Sequence, residues 1–207
     1  MRVTALDIDP REPGVVRIEV DGGRFGAVSG TVVAGEGIRV GADLDSEQGQ
    51  RLSEAADREA AYHTILRALG RRAYARADLA RRLVRRGHAK DAVEAGLVRA
   101  EAAGFLDDAA YALHYVQTRA PNGRGPARLV RDLLSRGVDR ALVDRAIAIQ
   151  WPDGSDRGAA AFALAEKRAA QLGALPRQAK RRRLLAYLAR RGYTGHQVTE
   201  IVGKVVP

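Results

Sequence analysis

The chain contains no cysteine, one tryptophan, one methionine, three phenylalanines and only four lysines, Lys90, Lys167, Lys180 and Lys204. Without cysteine there is no disulfide framework, no thiolate nucleophile and no Cys-based zinc site, and a cytoplasmic protein is the natural expectation. Aromatics make up 5% of the residues and hydrophobics 46%, so any core must be built from Leu, Ala and Val on packed helices. No run of 18 apolar residues occurs, which excludes an apolar membrane-spanning helix. The opening Met1-Arg2-Val3-Thr4 lacks the apolar stretch of a signal peptide and reads directly as structure.

What is present is a phrase written three times. Leu79-x3-Leu83-x2-Arg86-Gly87 recurs as Leu129-x3-Leu133-x2-Arg136-Gly137 and as Leu184-x3-Leu188-x2-Arg191-Gly192. Each glycine is followed six residues later by Val93, Val143 or Val198, and four residues beyond by Leu97, Ile147 or Val202. The glycines lie 50 and then 55 residues apart. Self-similarity at such a period signals a tandem array of one supersecondary unit, an architecture that more often binds extended partners than catalyses.

Charge is unevenly placed. The first 50 residues hold 5 arginines and 9 acids, leaving 30 of the 35 basic and 16 of the 25 acidic side chains to the remainder. A helical array this basic attracts a polyanion, either nucleic acid or an acidic protein surface. At about 100° per residue, Leu79, Ala80, Leu83 and Val84 share one helix face, while Arg81, Arg82, Arg85 and Arg86 fall on the opposite one. Lys180-Arg181-Arg182-Arg183 with Arg190 and Arg191 makes a second basic face. Arg71, Arg72 and Arg76 make a third group, and Arg131 belongs to a sparser set in the middle unit with Arg124, Arg128, Arg136 and Arg140. The candidate partner-contacting residues are therefore Arg71, Arg72, Arg76, Arg81, Arg82, Arg85, Arg86, Arg131, Lys180, Arg182, Arg183 and Arg190.

Residues 1–50 read as a small β subdomain. Val16, Ile18 and Val20 alternate with charged residues, Asp21-Gly22-Gly23 turns the chain back into Arg24–Val28, and Val3–Ile8, Thr31–Ala34 and Ile38–Val40 are further strand candidates. This sheet is too small to stand alone and should lean on the first helix of the array. Three three-helix modules then follow at 51–104, 105–151 and 152–207. The first has helices at about 54–70, 76–86 and 90–103. Gly87, Gly137 and Gly192 suit left-handed helix ends. Asp107, Asp139 and Thr194 suit N-caps where Ala89 does not, and Pro126 suits a first helical turn. Trp151–Ser155 reads as a linker, and Leu172–Pro176 as a break inside the last module.

Catalytic patterns are missing from the sequence. His63, His88, His114 and His196 show no ligand spacing, Asp107-Asp108 reads as a cap with a first-turn acid, and Gly123-x-Gly125 lacks the rest of a phosphate loop. No enzyme, cofactor or metal is expected.

These residues resemble the RecX family of bacterial recombination regulators. The most specific stretch is Phe105-Leu106-Asp107-Asp108-x2-Tyr111-Ala112-x3-Val116-x2-Arg119, continued by Gly123-x-Gly125-Pro126 and the second copy of the repeated phrase with Val138. Leu106, Asp107, Asp108, Tyr111, Gly87, Gly137 and Gly192 form the structural signature, and the N-terminal strands are similar to the extension of longer members. The resemblance implies a mainly α fold of tandem three-helix, helix-turn-helix-like modules. It implies a monomer that binds the RecA protein filament and inhibits its ATPase, strand-exchange and co-protease activities, with single- or double-stranded DNA as a further partner. The alternatives are a free-standing DNA-binding regulator and a pure interaction scaffold. Against the former, the repeated helices offer few of the Asn, Gln, Ser or Thr side chains that read base edges.

Overall fold

The structure is a computed structural model describing residues 1–10, 12–152 and 157–207, without the side chain of Arg157. It is mainly helical with a small N-terminal sheet, and divides into two compact units, Met1–Leu106 and Asp107–Pro207.

The first unit opens with an antiparallel sheet in the order β1 (Val3–Ile8), β2 (Val15–Val20), β3 (Gly23–Ser29). Alternation along β2 sends Ile18 and Val20 inward, and Asp21 and Gly22 both take positive φ in the turn to β3. Two of the expected strands are not strands. Residues 30–35 form a short helix, α1 (Gly30–Gly35), because the Ser29 hydroxyl accepts the Val32 N–H and starts a helical turn. Ile38–Val40 is loop; Ile38 turns into the sheet's core while the chain passes β1 through Val3 N–H to Ala42 and Gly41 N–H to Val3.

Helix α2 (Ser46–Leu69) starts earlier than the hydrophobic period suggests. Asp45 and Gln48 form a reciprocal capping box that fixes its origin. Its first turns serve the sheet, placing Leu52 in one cluster with Val3, Ile18, Val28, Ile38 and Leu44. Its later turns place Ala61, Tyr62 and Ile65 against α3 (Arg76–Val84) and α4 (Lys90–Ala102). The sheet does lean on the first helix, and α2 runs through the boundary expected near residue 50. Leu106 closes this same core, at the end of the first unit.

The second unit contains α5 (Asp108–Arg119), α6 (Pro126–Ser135), α7 (Arg140–Gln150), α8 (Arg157–Ala170), α9 (Arg177–Arg191) and α10 (His196–Val205). Asp107 and Asp139 cap α5 and α7 as expected, and Pro126 begins α6. Thr194 does not cap α10. Gly195, at φ +94°, takes the N-cap position, because the chain needs a left-handed residue there before the helix can start. Residues 171–176 break the last module as expected. Of the linker, Asp153–Ser155 lie outside the described residues.

The six leucines of the repeated phrase are all fully buried. Each contributes about 1.5–3 kcal/mol by burial, well above the few tenths that neighbouring arginines at (i, i+4) cost a helix. Val84, expected on the apolar face, is instead 38% exposed as the last residue of α3. The glycines close the helices in one way. His88, Val138 and Tyr193 donate their N–H groups back to the carbonyls of Leu83, Leu133 and Leu188, while Gly87, Gly137 and Gly192 donate to Val84, Leu134 and Ala189. All three glycines have φ between +82° and +96°. This is the paired hydrogen-bond pattern of a glycine-terminated helix.

Leu83→Ala should cost roughly 2–5 kcal/mol, read as a lowered urea midpoint with an unchanged slope. Tyr193 supplies a pH-dependent counterpart. Its hydroxyl is buried without a hydrogen-bond partner among the described residues, and desolvation raises its pKa above the ordinary 10.0, with Arg191 opposing part of the shift. The folded state thus holds this proton more tightly than the unfolded chain. Stability from this group is full below pH about 10 and declines as pH rises above it. Tyr193→Phe should match the parent at pH 7 and lack that increment of alkaline destabilisation in thermal melts at pH 8–11.

Candidate functional site

The basic residues expected to contact a partner separate by what holds them. In the first unit, Arg82 near the end of α3 and Arg86 in the turn after it are four residues apart, as are Arg67 near the end of α2 and Arg71 in the turn that follows. The four line a cavity of about 530 Å³ with Thr64, Ala68, Tyr74 and His88. Arg72 lies 3.8 Å from the centre of the Tyr74 ring and Arg82 lies 5.2 Å from it, so the ring positions both guanidinium groups. Arg71, Arg72, Arg85 and Arg86 are exposed. Arg81 is exposed too, 3.6 Å from Asp78. Arg82 is half-buried, so Arg81, Arg82, Arg85 and Arg86 do not all stand in solvent.

Arg76 is placed differently from its neighbours. It pairs with Glu94 and, at 2.8 Å, with Glu101, both on α4, and these acids raise its already high pKa, Glu94 first. Its geometry is that of a brace between α3 and α4. A second brace joins α2 to α4, where Arg99 places one nitrogen 3.0 and 3.1 Å from the two carboxylate oxygens of buried Glu59 and covers Tyr62 at 3.8 Å. Ala89 cannot cap α4, and Asp57 on α2 compensates by accepting both the Ala89 N–H and the His88 ring.

In the second unit, Arg182, Arg183 and Arg190 are exposed on α9 and Lys180 is half-buried there. Arg131 is exposed on α6. The middle module gathers its other arginines about one acid: Asp132, with 15% of its side chain exposed, accepts from Arg124 at 2.6 Å, Arg128 at 2.9 Å and the Tyr115 hydroxyl at 3.2 Å. Tyr111, half-buried, tilts against Tyr115 at 6.1 Å, and Asp108 opens α5 as its first-turn acid.

The C-terminus of α9 meets the N-terminus of α6. Arg191 and Gly192 carbonyls accept the N–H groups of Gly125 and Ala127, and the Arg191 guanidinium donates to the Asn122 carbonyl. Unsatisfied carbonyls at one helix end thus meet unsatisfied amides at another, with opposed partial charges. The approach excludes side chains. A Cβ on Gly192 would lie 2.3 Å from the Arg128 nitrogen, and one on Gly125 would lie 2.6 Å from the Gly192 oxygen. Around this junction Arg119, Asn122, Arg124, Arg128, Arg190 and Arg191 line a second cleft of about 410 Å³. The sequence marks Gly192 only as a helix end; its contact with Arg128 is a product of packing.

Histidine spacing also conceals one cluster. His63 lies 2.8 Å from Glu12 and 3.6 Å from Glu59, and ligand atoms of the three groups fall within 4.8 Å of one another. Glu59 is already held by Arg99, and the arrangement serves as a clasp between the hairpin loop and α2. His196 makes only an exposed helical pair with Glu200. Each unit by itself presents exposed guanidinium donors on helices and helix ends, suited to bind anionic surface.

Comparison with known proteins places the fold in a family. Residues 107–147 match the model of the second three-helix domain of RecX, and residues 156–202 match that of the third. The chain is 35% identical over 151 residues to the regulatory protein RecX of Mycobacterium ulcerans, covering 72% of this chain and 87% of that protein. It is 36% identical over 152 residues to that of Halorhodospira halophila, covering 71% and 89%. A crystal structure of regulatory protein RecX shares the fold with a TM-score of 0.74, over 99% of this chain and 98% of that chain at 21% identity. RecX from Lactobacillus salivarius gives a TM-score of 0.62 over 72% and 96%, at 20% identity.

Gly192→Ala should cost on the order of 2 kcal/mol, since positive φ and contact with the Arg128 backbone both oppose a methyl group. The equivalent Gly87 has no atom within 4 Å of its Cβ position. Gly87→Ala should therefore cost only about 1 kcal/mol, the conformational part alone. Parallel denaturation of the two variants separates the junction from the turn.

Proposed function

The chain belongs to the RecX family of regulatory proteins, and on that premise we propose that it is a non-enzymatic cytoplasmic regulator that binds the RecA–DNA filament and slows its activities. The observation that carries this reading is the division of labour on α3 and α9. Their leucines build the cores, and exposed arginines, Arg81 on α3 and Arg182, Arg183 and Arg190 on α9, stand outside those cores. Three modules in one chain, each making weak charge-assisted contacts, gain from effective concentration when the partner is a repeating polymer. ATP hydrolysis, strand exchange and co-protease activity would all fall, because all three depend on the occupied filament.

Titrating the full chain into RecA on single-stranded DNA should slow DNA-dependent ATP hydrolysis at sub-stoichiometric to near-stoichiometric amounts. Arg81→Glu with Arg85→Glu, both at exposed positions, should raise the amount needed about tenfold. An ATPase rate unchanged at every concentration would remove the proposal. Tight, sequence-selective duplex binding without RecA would replace it with a free-standing DNA-binding regulator.

A further inference from the structure

Several arginines of this protein meet carboxylates: Arg51 with Glu36 and Glu47, Arg76 with Glu94 and Glu101, Arg99 with Glu59, Arg124 and Arg128 with Asp132, Arg140 with Asp144. The cavity between the end of α2 and α3 holds none of these pairs. None of its lining residues is acidic, and among the described residues none of Arg67, Arg71, Arg82 and Arg86 pairs with a carboxylate. The Arg82 Nε is buried and, among the described residues, has no hydrogen-bond partner. Two pairs of guanidinium groups, each pair four residues apart across the end of its helix, thus line one cavity with no carboxylate among the lining residues.

We propose that this cavity is a binding site for phosphate oxyanions, taking adjacent phosphate groups of a polynucleotide backbone or of a free polyphosphate. Guanidinium groups match phosphate oxygens with paired donors. A volume of about 530 Å³ accommodates more than one phosphate. The lining favours phosphate over a nucleobase. Arg72 and Arg82 already cover the Tyr74 ring, removing it as a stacking platform. The Thr64 hydroxyl is spent between the Ala60 carbonyl and Arg67, and the His88 Nδ1 is spent on Asp57. What remains is donor-rich, which suits an oxyanion and leaves base sequence unread. The cleft at the α6–α9 junction is a weaker candidate, because Asp132 neutralises Arg124 and Arg128 and the Asn122 carbonyl occupies Arg191.

The inference deepens the regulatory reading and rests on the arginine face being a contact surface, but its test omits RecA, so the two can fail separately. The full chain is titrated with inorganic tripolyphosphate by calorimetry and with a labelled mixed-sequence single-stranded oligodeoxynucleotide by anisotropy. Arg71→Gln with Arg86→Gln, both at exposed positions, should weaken whichever probe binds by tenfold or more. For the oligonucleotide it should reduce the slope of log affinity against log salt by about 1.4, two single-strand phosphate contacts' worth. The single variants should each give part of the loss. Arg17→Gln with Arg39→Gln, an equal charge change on the N-terminal subdomain, should leave binding within about twofold. Binding of the oligonucleotide alone assigns the site to backbone phosphate, and binding of tripolyphosphate alone assigns it to free polyphosphate. The proposal is overturned if neither probe binds, if the Arg71/Arg86 variants bind like the parent, or if the Arg17/Arg39 control loses as much.

Discussion

A hydrogen bond from the residue after a glycine back to the carbonyl of a buried leucine closes the central helix of all three modules, and the rest of each module is arranged around that closure. The leucine must be buried to hold the core, so its carbonyl cannot be left to water, and the chain must reverse at once to satisfy it. Only a left-handed residue makes that reversal in one step, hence glycine at 87, 137 and 192. The next helix then begins close by and sends its own aliphatic residues back into the same core, with Val93, Val143 and Val198 all buried. At Gly192 the device has a second duty, since the missing side chain also lets α9 deliver its carbonyls to α6.

The same place in the repeated phrase holds Arg82, Asp132 and Tyr187, and these three residues organise charge in three ways. Asp132 is an internal anion that gathers two arginines and a tyrosine. Tyr187 offers a ring to Arg168 at 5.6 Å and to Arg191 at 5.3 Å. Arg82 adds a further positive charge to a place that already has several. One scaffold position therefore decides whether its module neutralises its own arginines or leaves them for something else. Most of the exposed ion pairs contribute little to stability. The part-buried ones at Glu59 and Asp132 matter because they fix where neighbouring guanidinium groups stand.

Much of this was legible in the residue pattern. The three copies, their leucine faces, their glycine ends, the caps at Asp107 and Asp139 and the β hairpin all rest on interactions within a few residues of one another. The errors lie where distant partners intervene. Residues 30–35 carry strand-like valines, yet a serine cap and the sheet's core draw them into a helix. The start of α2 was hidden by a polar first turn whose capping box, Asp45 with Gln48, holds no hydrophobic signal. Ala89 looked like a defect and is offset by Asp57, a full helix away.

The sequence by itself determined the repeat, the side of each helix that is apolar, the positions where the backbone must turn left-handed, and the excess of arginine over acid. These follow from helical period and local backbone sterics, which depend on residue type and spacing alone. Tertiary structure decided which arginines are spent and which are left. Arg76 and Arg86 are indistinguishable as letters, but packing of α4 against α3 brings Glu94 and Glu101 to the first and, among the described residues, no carboxylate to the second. Charge pairing is set by side chains meeting across helices from different parts of the chain, and periodicity carries no record of which helices meet.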